Sequence, residues 1–350
     1  MAGLKQAIAD KDLTTSKVNF TDADPEKQAA YNQAITNAEN ILDKASGGNV
    51  SQTEVEQAIQ QVNNAKQALN GDANVQQAKD EATELINNAS DLNQAQKDVL
   101  KGQVNNATTV AETNGIKQTA QDLNNAMTQL KQSIADKDQT KADGNFTNAD
   151  TDKQTAYNNA VTQAQQLIDG APNVVVTPSE ITDALNHVNQ TKDELNGNTN
   201  LANAKQTVTN AIDQLPNLNQ AQRDEYNKQI TQATAVPDVN AIQTAAEKLN
   251  EAMTNLKQGI ANKDDILAGE DYHDADQDKQ AAFNDAISAA QDLLNQTASP
   301  TMDPTQVTNA LTKVQETTQA LNGNEKLETE KQNAKVTITT LAVSYTHLRA

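Results

Sequence analysis

The chain contains no cysteine and no tryptophan, and only three Phe, five Tyr, three His, seven Pro and 12 Gly among its 350 residues. Without cysteine there are no disulfides, no thiol catalysis and no zinc–thiolate centre. Cysteine-free usage also suits a chain that crosses a membrane and works outside the cell without oxidative folding. Aromatics make up 2% of the residues, less ring and branched apolar mass than an ordinary enzyme core uses. Cations are short too: 27 Lys+Arg against 47 Asp+Glu give a formal net charge of −20. Phosphate backbones and anionic lipid repel such a chain, which excludes nucleic acid and membrane surfaces as favoured partners. There is no apolar run of about 18 residues and no basic-then-apolar leader, so nothing spans a bilayer or targets the chain. An export signal would have to lie outside this sequence.

What is abundant is Ala, Thr and side-chain amide, with Asn and Gln together numbering about 80. With Gly and Pro scarce, this composition predicts helices of small residues joined by short breaks, not sheet. The residues also repeat. Leu-Asn-Gly begins at Leu69, Leu195 and Leu321; Leu-Asn-Gln-Ala-Gln begins at Leu92 and Leu218; Leu-Lys-Gln begins at Leu4, Leu130 and Leu256. Ring positions follow, as Phe20, Phe146, Tyr272 and as Tyr31, Tyr157, Phe283. Each step is 126 residues, as 195 minus 69 shows, with no insertion between copies. Met1 is in phase with Met127 and Met253, so the chain is expected to begin mid-module, as a piece of something longer. The register persists to Leu341, which matches Leu215, and then stops. Residues 342–350, ending Ser-Tyr-Thr-His-Leu-Arg-Ala, look like translated adapter read-through and are set aside from fold reasoning.

Five helices are predicted per period. The first, 24–46, has Asp24 as N-cap, Pro25 at its first position and a stripe of Tyr31, Ala34, Ile35, Ala38, Ile41, Leu42 and Ala45. The second starts at Ser51, Thr177 or Asp303, each followed three residues on by Glu54, Glu180 or Gln306, the pattern of a capping box. Val55, Ile59, Val62, Ala65 and Leu69 form its stripe. Asn70-Gly71 reads as its C-terminal stop, although a continuous helix through these residues also fits. The third covers 73–89, and the fourth runs from the Asn93 cap, with Gln96 in the box position, to about 110. The fifth covers 114–137 and would be about 36 Å long, enough to close one bundle and open the next. Residues 138–150 read as a polar loop with Phe146 folded back as a plug. The fold class expected is all-α: tandem three-helix bundles joined by long shared helices into an elongated rod.

These residues carry a family likeness. Asn19 to Asp24 through Leu69-Asn70-Gly71 resembles the FIVAR module, and Ala73 through Leu92–Gln96 to Met127 resembles the GA module. FIVAR-like modules are placed at 1–71, 127–197 and 253–323, GA-like modules at 72–126 and 198–252, and a truncated GA-like module at 324–341. Their alternation over residues 1–341 resembles the giant staphylococcal matrix-binding surface proteins. That resemblance implies a long, cell-wall-associated, monomeric rod on a Gram-positive bacterium, binding fibronectin chiefly through FIVAR units. GA modules of other surface proteins bind serum albumin, so albumin is a second partner implied. The matched positions are caps and core, so no partner-contact residue carries over, and neither the family's export signal nor its wall anchor is in the sequence.

Chemistry finds little footing beside this. His187 stands where the other copies have Gln61 and Lys313, His273 matches Thr21 and Thr147, and His347 lies in the tail. A catalytic base or metal ligand there would exist in one copy only, and a solvated surface His is the simpler reading. Asp274-Ala275-Asp276-Gln277-Asp278 has the alternate carboxylates of a calcium loop, but Lys279 replaces the required Gly and no Glu follows at twelve. Helix capping accounts for these acids as well. No phosphate loop, nucleophile elbow or zinc-protease pattern occurs. The expectation is therefore no enzyme, no catalytic residue, no cofactor and no metal. The paired rings read as the largest core pieces of each bundle rather than as exposed anchors. Two functions remain open: a repeated adhesive module, and a passive spacer that projects other domains.

Overall fold

The computed structural model describes residues 1–46 and 48–348. All regular structure among them is helical, and it forms two compact units: 1–141 with 151–195, and 142–150 with 196 onward. In the first unit, Ala2–Ala7, Pro25–Lys44 and Gln52–Ala68 pack as one three-helix bundle. Gly71–Asn88, Gln94–Asn106 and Val110–Ser133 form the next, and Val110–Ser133 then packs with Thr151–Asp169 and Pro178–Asp193 in a third. The second unit repeats the theme with Gly197–Asp213, Gln220–Gln232 and Val236–Gly259, the last of which also packs with Gln277–Leu294 and Pro304–Gln319.

Each bundle buries the stripe its spacing dictates. Tyr31, Ala34, Ile35 and Ala38 face inward from Pro25–Lys44 and meet Ala58, Val62 and Leu4. Alanine at the closest points (Ala38, Ala82, Ala120, Ala164, Ala246 and Ala290, all 0% exposed) lets the helices approach. One ring per FIVAR-like bundle, Tyr31, Tyr157 or Phe283, fills the space left over. Phe20 and Tyr272 pack edge-on against this ring at 5.8 and 5.9 Å.

The long helices are shared between bundles, as their length suggested. Near the start of Val110–Ser133, Lys117 reaches Glu81 of the GA-like bundle at 3.1 Å. At the far end of its counterpart Val236–Gly259, Gly259 lies against Leu311 of the following bundle. One apolar cluster therefore runs unbroken from Val208 and Ile212 through Leu249, Met253 and Leu256 to Phe283, Val307 and Leu321. By contrast, the first FIVAR-like core closes at Leu69.

Several expected boundaries move. Among the described residues seven helices fill a period instead of five, because 138–150 is not a loop: Lys137–Ala142 and Gly144–Thr147 are helical. The Asp143 side chain caps the second of these by accepting from the Asn145 N–H at 2.7 Å, and half-buried Phe146 lies on that helix, not on a loop. The shared helix starts four residues earlier than expected, at Val110, since the Thr109 side chain caps it through the Glu112 N–H. The fourth helix ends at Asn106. Asn70-Gly71 does break the chain between helices, but Gly71 is the first residue of the next helix, not a C-terminal stop. The capping box forms at Ser51 with Glu54 but at neither Thr177 nor Asp303, where Pro178 and Pro304 occupy the first helical position and the cap residue turns to ψ 113°. The last helix continues from Gly323 to Leu348, through most of the segment set aside as a tail, while 349–350 lie outside the described residues.

The Tyr31 hydroxyl is buried without a hydrogen-bond partner, and Phe283 fills the equivalent place without one. Tyr31→Phe is therefore expected to be neutral or to stabilise the first bundle by about 1 kcal/mol, because a buried unsatisfied hydroxyl is costly. Tyr31→Ala should cost about 3–5 kcal/mol through the cavity it leaves. Amide exchange along Pro25–Lys44 measures both.

Candidate interaction surface

Two kinds of joint set what each module can present. The first lies where a FIVAR-like bundle hands over to the next helix. Asn70 Oδ1 accepts from the Asp24 backbone N–H at 3.1 Å, and Asn70 Nδ2 donates to Asp24 Oδ2 at 3.0 Å. Asn74 Nδ2 donates to Asp24 Oδ1 at 3.0 Å and to the Asp22 carbonyl at 2.9 Å. The same clasp recurs as Asn196 with Asp150 (3.1 and 2.7 Å) and Asn200 with Asp150 (2.9 Å). In the third copy Asn322 holds Asp276 (3.0 and 2.9 Å), and Lys326 takes over from the second Asn at 2.9 Å. Asn19, Asn145 and Asp271 cap the entering helix from outside, accepting from the N–H of Asp72, Asn198 and Asn324 at 3.2, 3.0 and 2.9 Å.

Glycine is required at this joint for space. A Cβ on Gly71 would fall on the Val18 carbonyl oxygen; on Gly197 it would meet the Asn145 carbonyl oxygen at 2.5 Å, and on Gly323 the Asp271 carbonyl oxygen at 2.5 Å. The donors also set the charge state. Asn74 first, then Lys27 and Asn70, hold the Asp24 carboxyl below its usual range, and Asn322 followed by Lys326 does the same for Asp276.

The second joint ties a GA-like bundle to the bundle that shares its long helix. Asn93 and Gln96 form the expected capping box, as do Asn219 and Gln222. They also reach further. Fully buried Gln96 donates from Nε2 to the Val175 carbonyl at 2.8 Å, and Gln222 donates to the Thr301 carbonyl at 2.9 Å. Asn93 Nδ2 donates to the Ile168 carbonyl at 3.1 Å, closing the end of Thr151–Asp169. Beside it Asp91 accepts from Thr128 at 2.5 Å and pairs with Lys131 at 3.2 Å, which lowers its pKa, Thr128 contributing most.

The faces left outward are acidic and ordered. Gln76 donates to Asp80, Gln77 to Glu81, Gln94 to Asp98, Gln118 to Asp122 and Gln243 to Glu247, each one helical turn on, at 2.7–3.1 Å. Each of these amides gives one N–H to a carboxylate of its own helix and keeps its second N–H. An open groove of about 680 Å³ lies between Gly71–Asn88 and Val110–Ser133, with Glu81, Glu84 and Asp122 on its walls, Lys117 as its cation and Leu85 and Ala120 in its floor.

Residues singled out from sequence fall as follows. Tyr31, Tyr157 and Phe283 are core. His187, His273 and His347 are exposed, in different parts of the chain, and His273 rests against the Tyr272 ring. In the acidic loop, Asp276 spends its oxygens on Asn322 and Lys326 instead of facing a shared centre with Asp274 and Asp278. Asp24 sits at a helix start as expected, but its carboxylate serves Asn70, Asn74 and Lys27 and not the backbone N–H groups of its own helix. Among the described residues no group of three His, Asp or Glu is placed to hold a metal ion, and no helix is long and apolar enough to cross a membrane.

Comparison with known proteins gives the modules their family. The FIVAR domain profile matches residues 1–70, 126–196 and 252–322, and the GA module profile matches 72–126 and 198–252. The chain belongs to the FIVAR family, with GA modules alternating between its FIVAR domains. It is a close homologue of extracellular matrix-binding protein EbhA of Staphylococcus aureus strain Mu3, 72% identical over 341 residues, which is 97% of this chain and 5% of that protein. The strain Newman EbhA is 71% identical over the same length and share of this chain, and 10% of its own. The chain thus spans a small part of these relatives. A crystal structure of EbhA residues 756–1003 from S. aureus matches 71% of this chain and 98% of its own, with a TM-score of 0.67 and 37% identity. Neither FIVAR nor GA is an enzymatic family, so the chain is not an enzyme.

What sequence reasoning missed are the FIVAR–GA clasp and the reach of Gln96 and Gln222. The signal was present: Asp24, Asp150 and Asp276 each precede Asn70, Asn196 and Asn322 by 46 residues. Because folding depresses the carboxyl pKa of Asp24 and Asp276, their stabilisation is complete above the unfolded range, near about pH 4, and is lost as pH falls through the depressed folded values. Thermal melts between pH 7 and pH 2 should therefore show an acid-side decline that is shallower in Asp24→Ala. Gly71→Ala should weaken the first FIVAR–GA joint by about 1–3 kcal/mol, read as faster exchange of the Asp72 amide.

Proposed function

We propose that the array is a non-enzymatic adhesin segment, displayed on the wall of a Gram-positive bacterium, that binds host extracellular matrix through its repeated modules, with fibronectin as the partner. The observation that carries this reading is the 72% identity across 97% of the chain to proteins named for matrix binding. Its surface supports a mode of binding. The acidic balance of the chain and the open groove favour broad contacts to basic patches, each weak, with affinity gained by repetition. Serum albumin is the second partner of this reading, through the GA modules.

A second reading is favoured by the Gln–carboxylate ladders, in which side-chain amides are engaged within their own helix: the modules bind nothing and act as a spacer. Surface plasmon resonance of the full chain over immobilised fibronectin, with albumin alongside, separates the two. Adhesion gives saturable binding that weakens as salt rises past the physiological range. Silence up to roughly 100 µM, about −5.5 kcal/mol, leaves the spacer as the description.

A further inference from the structure

The FIVAR–GA clasp is built on a reactive bond. Each copy places an asparagine directly before a glycine at the joint: Asn70-Gly71, Asn196-Gly197 and Asn322-Gly323. An Asn–Gly pair is chemically labile because glycine leaves its backbone nitrogen unhindered. That nitrogen attacks the asparagine side-chain carbon Cγ, ammonia leaves, and a five-membered succinimide forms. Water then opens the ring at either carbonyl, giving aspartate or isoaspartate. The net change is amide plus water to carboxylate plus ammonia, with no oxidant or reductant needed.

The folded joint opposes this attack in three ways. Both ends of the Asn70 amide are engaged, Oδ1 by the Asp24 N–H and Nδ2 by the Asp24 carboxylate and Asn74 Oδ1 at 3.1 Å. The Asn70 backbone sits at ψ 17°, and Asn196 at ψ 16°, so the attacking nitrogen must rotate to reach Cγ. Gly71 is pressed against the Val18–Thr21 helix, which removes the room for that rotation. The same close packing holds Gly197 and Gly323, and the amides of Asn196 and Asn322 are engaged at both ends by Asp150 and Asp276. A fourth pair, Asn114-Gly115, lies inside the continuous helix Val110–Ser133 and takes no part in a joint.

The product is incompatible with the clasp. Aspartate at position 70 loses the Nδ2 donor and sets a second carboxylate about 3 Å from that of Asp24, so attraction becomes like-charge repulsion. Isoaspartate also lengthens the backbone by one methylene in a turn with no spare room.

We propose that Asn70, Asn196 and Asn322 are gated deamidation sites: the closed joint shields each Asn–Gly bond, and opening exposes it to a conversion that keeps the joint from reclosing. Each joint then carries an irreversible chemical record of having been opened. This inference does not depend on what the modules bind.

The test is peptide mapping by mass spectrometry of the full chain held at mildly alkaline pH and body temperature. Native chain and chain in denaturant are compared first. All three sites should deamidate at least about tenfold more slowly in the native chain, the protection expected of a joint that opens rarely. Equal rates in the two states overturn the gating. Asp24→Ala should then speed Asn70 alone, with Asn196 and Asn322 as references in the same sample; an unchanged Asn70 rate overturns the role of the clasp. Should that variant unfold its bundle, the native-against-denatured comparison decides. Asn70→Asp mimics the product and should increase exchange at the Asp24 and Asp72 amides, and undiminished protection there would overturn the claim that the joint cannot reclose.

Discussion

Everything downstream of a FIVAR domain depends on a turn too tight for a side chain. At Leu69-Asn70-Gly71 one helix stops and the next begins within two residues, and the entering helix is pressed against the short Val18–Thr21 segment. Four unpaired N–H groups at that helix start need partners, and they cannot all be solvated where backbone meets backbone. The solution is reciprocal: the segment before the bundle lends Asn19 to cap the next module, and Asn70 of the joint lends its amide to hold Asp24. The joint is polar, directional and local, so it fixes where the GA helix starts without sharing a core.

The other joint works by the opposite physics. A helix of 24 residues runs from a GA module into the following FIVAR domain, and the apolar cluster follows it without a seam. Such a pair cannot come apart without breaking a helix or exposing Leu249, Met253 and Leu256, all fully buried. Nearest-neighbour coupling in this array is therefore uneven. Strong, apolar coupling joins the second GA module to the FIVAR domain after it, and a polar clasp joins the first FIVAR domain to the GA module after it. The boundaries at which the family profiles meet, 126 and 252, fall within the shared helices.

How much of this could be read from the residues divides along the same line. Apolar spacing is a local signal, so the long helices, the core rings and the sharing of the 110–133 helix were legible. Capping is local too, which is why Asn93 with Gln96 was recognised. The contact between Asp24 and Asn70 was missed because each has an ordinary local explanation, an N-cap and a helix stop, whereas the two lie 46 residues apart. The short helices at Lys137–Ala142 and Gly144–Thr147 were hidden for a related reason. Their polar residues look like loop, and the second of them forms under the Asp143 cap and by packing on Gly197–Asp213, a segment some 50 residues away.

Comparison of the three copies separates what the architecture demands from what it tolerates. At the clasp, Asn74 and Asn200 become Lys326, yet a nitrogen donor still reaches the same aspartate. In the core, Tyr31 and Tyr157 become Phe283, which keeps the ring and discards the hydroxyl. Outward positions obey no such rule: Gln61, His187 and Lys313 are equivalent in register and differ in charge and chemistry. A partner read residue by residue would meet a different surface in each copy. What recurs is the acidic balance of each module, so an adhesive role for the array has to rest on that collective property and on repetition, and a steric role as spacer needs neither.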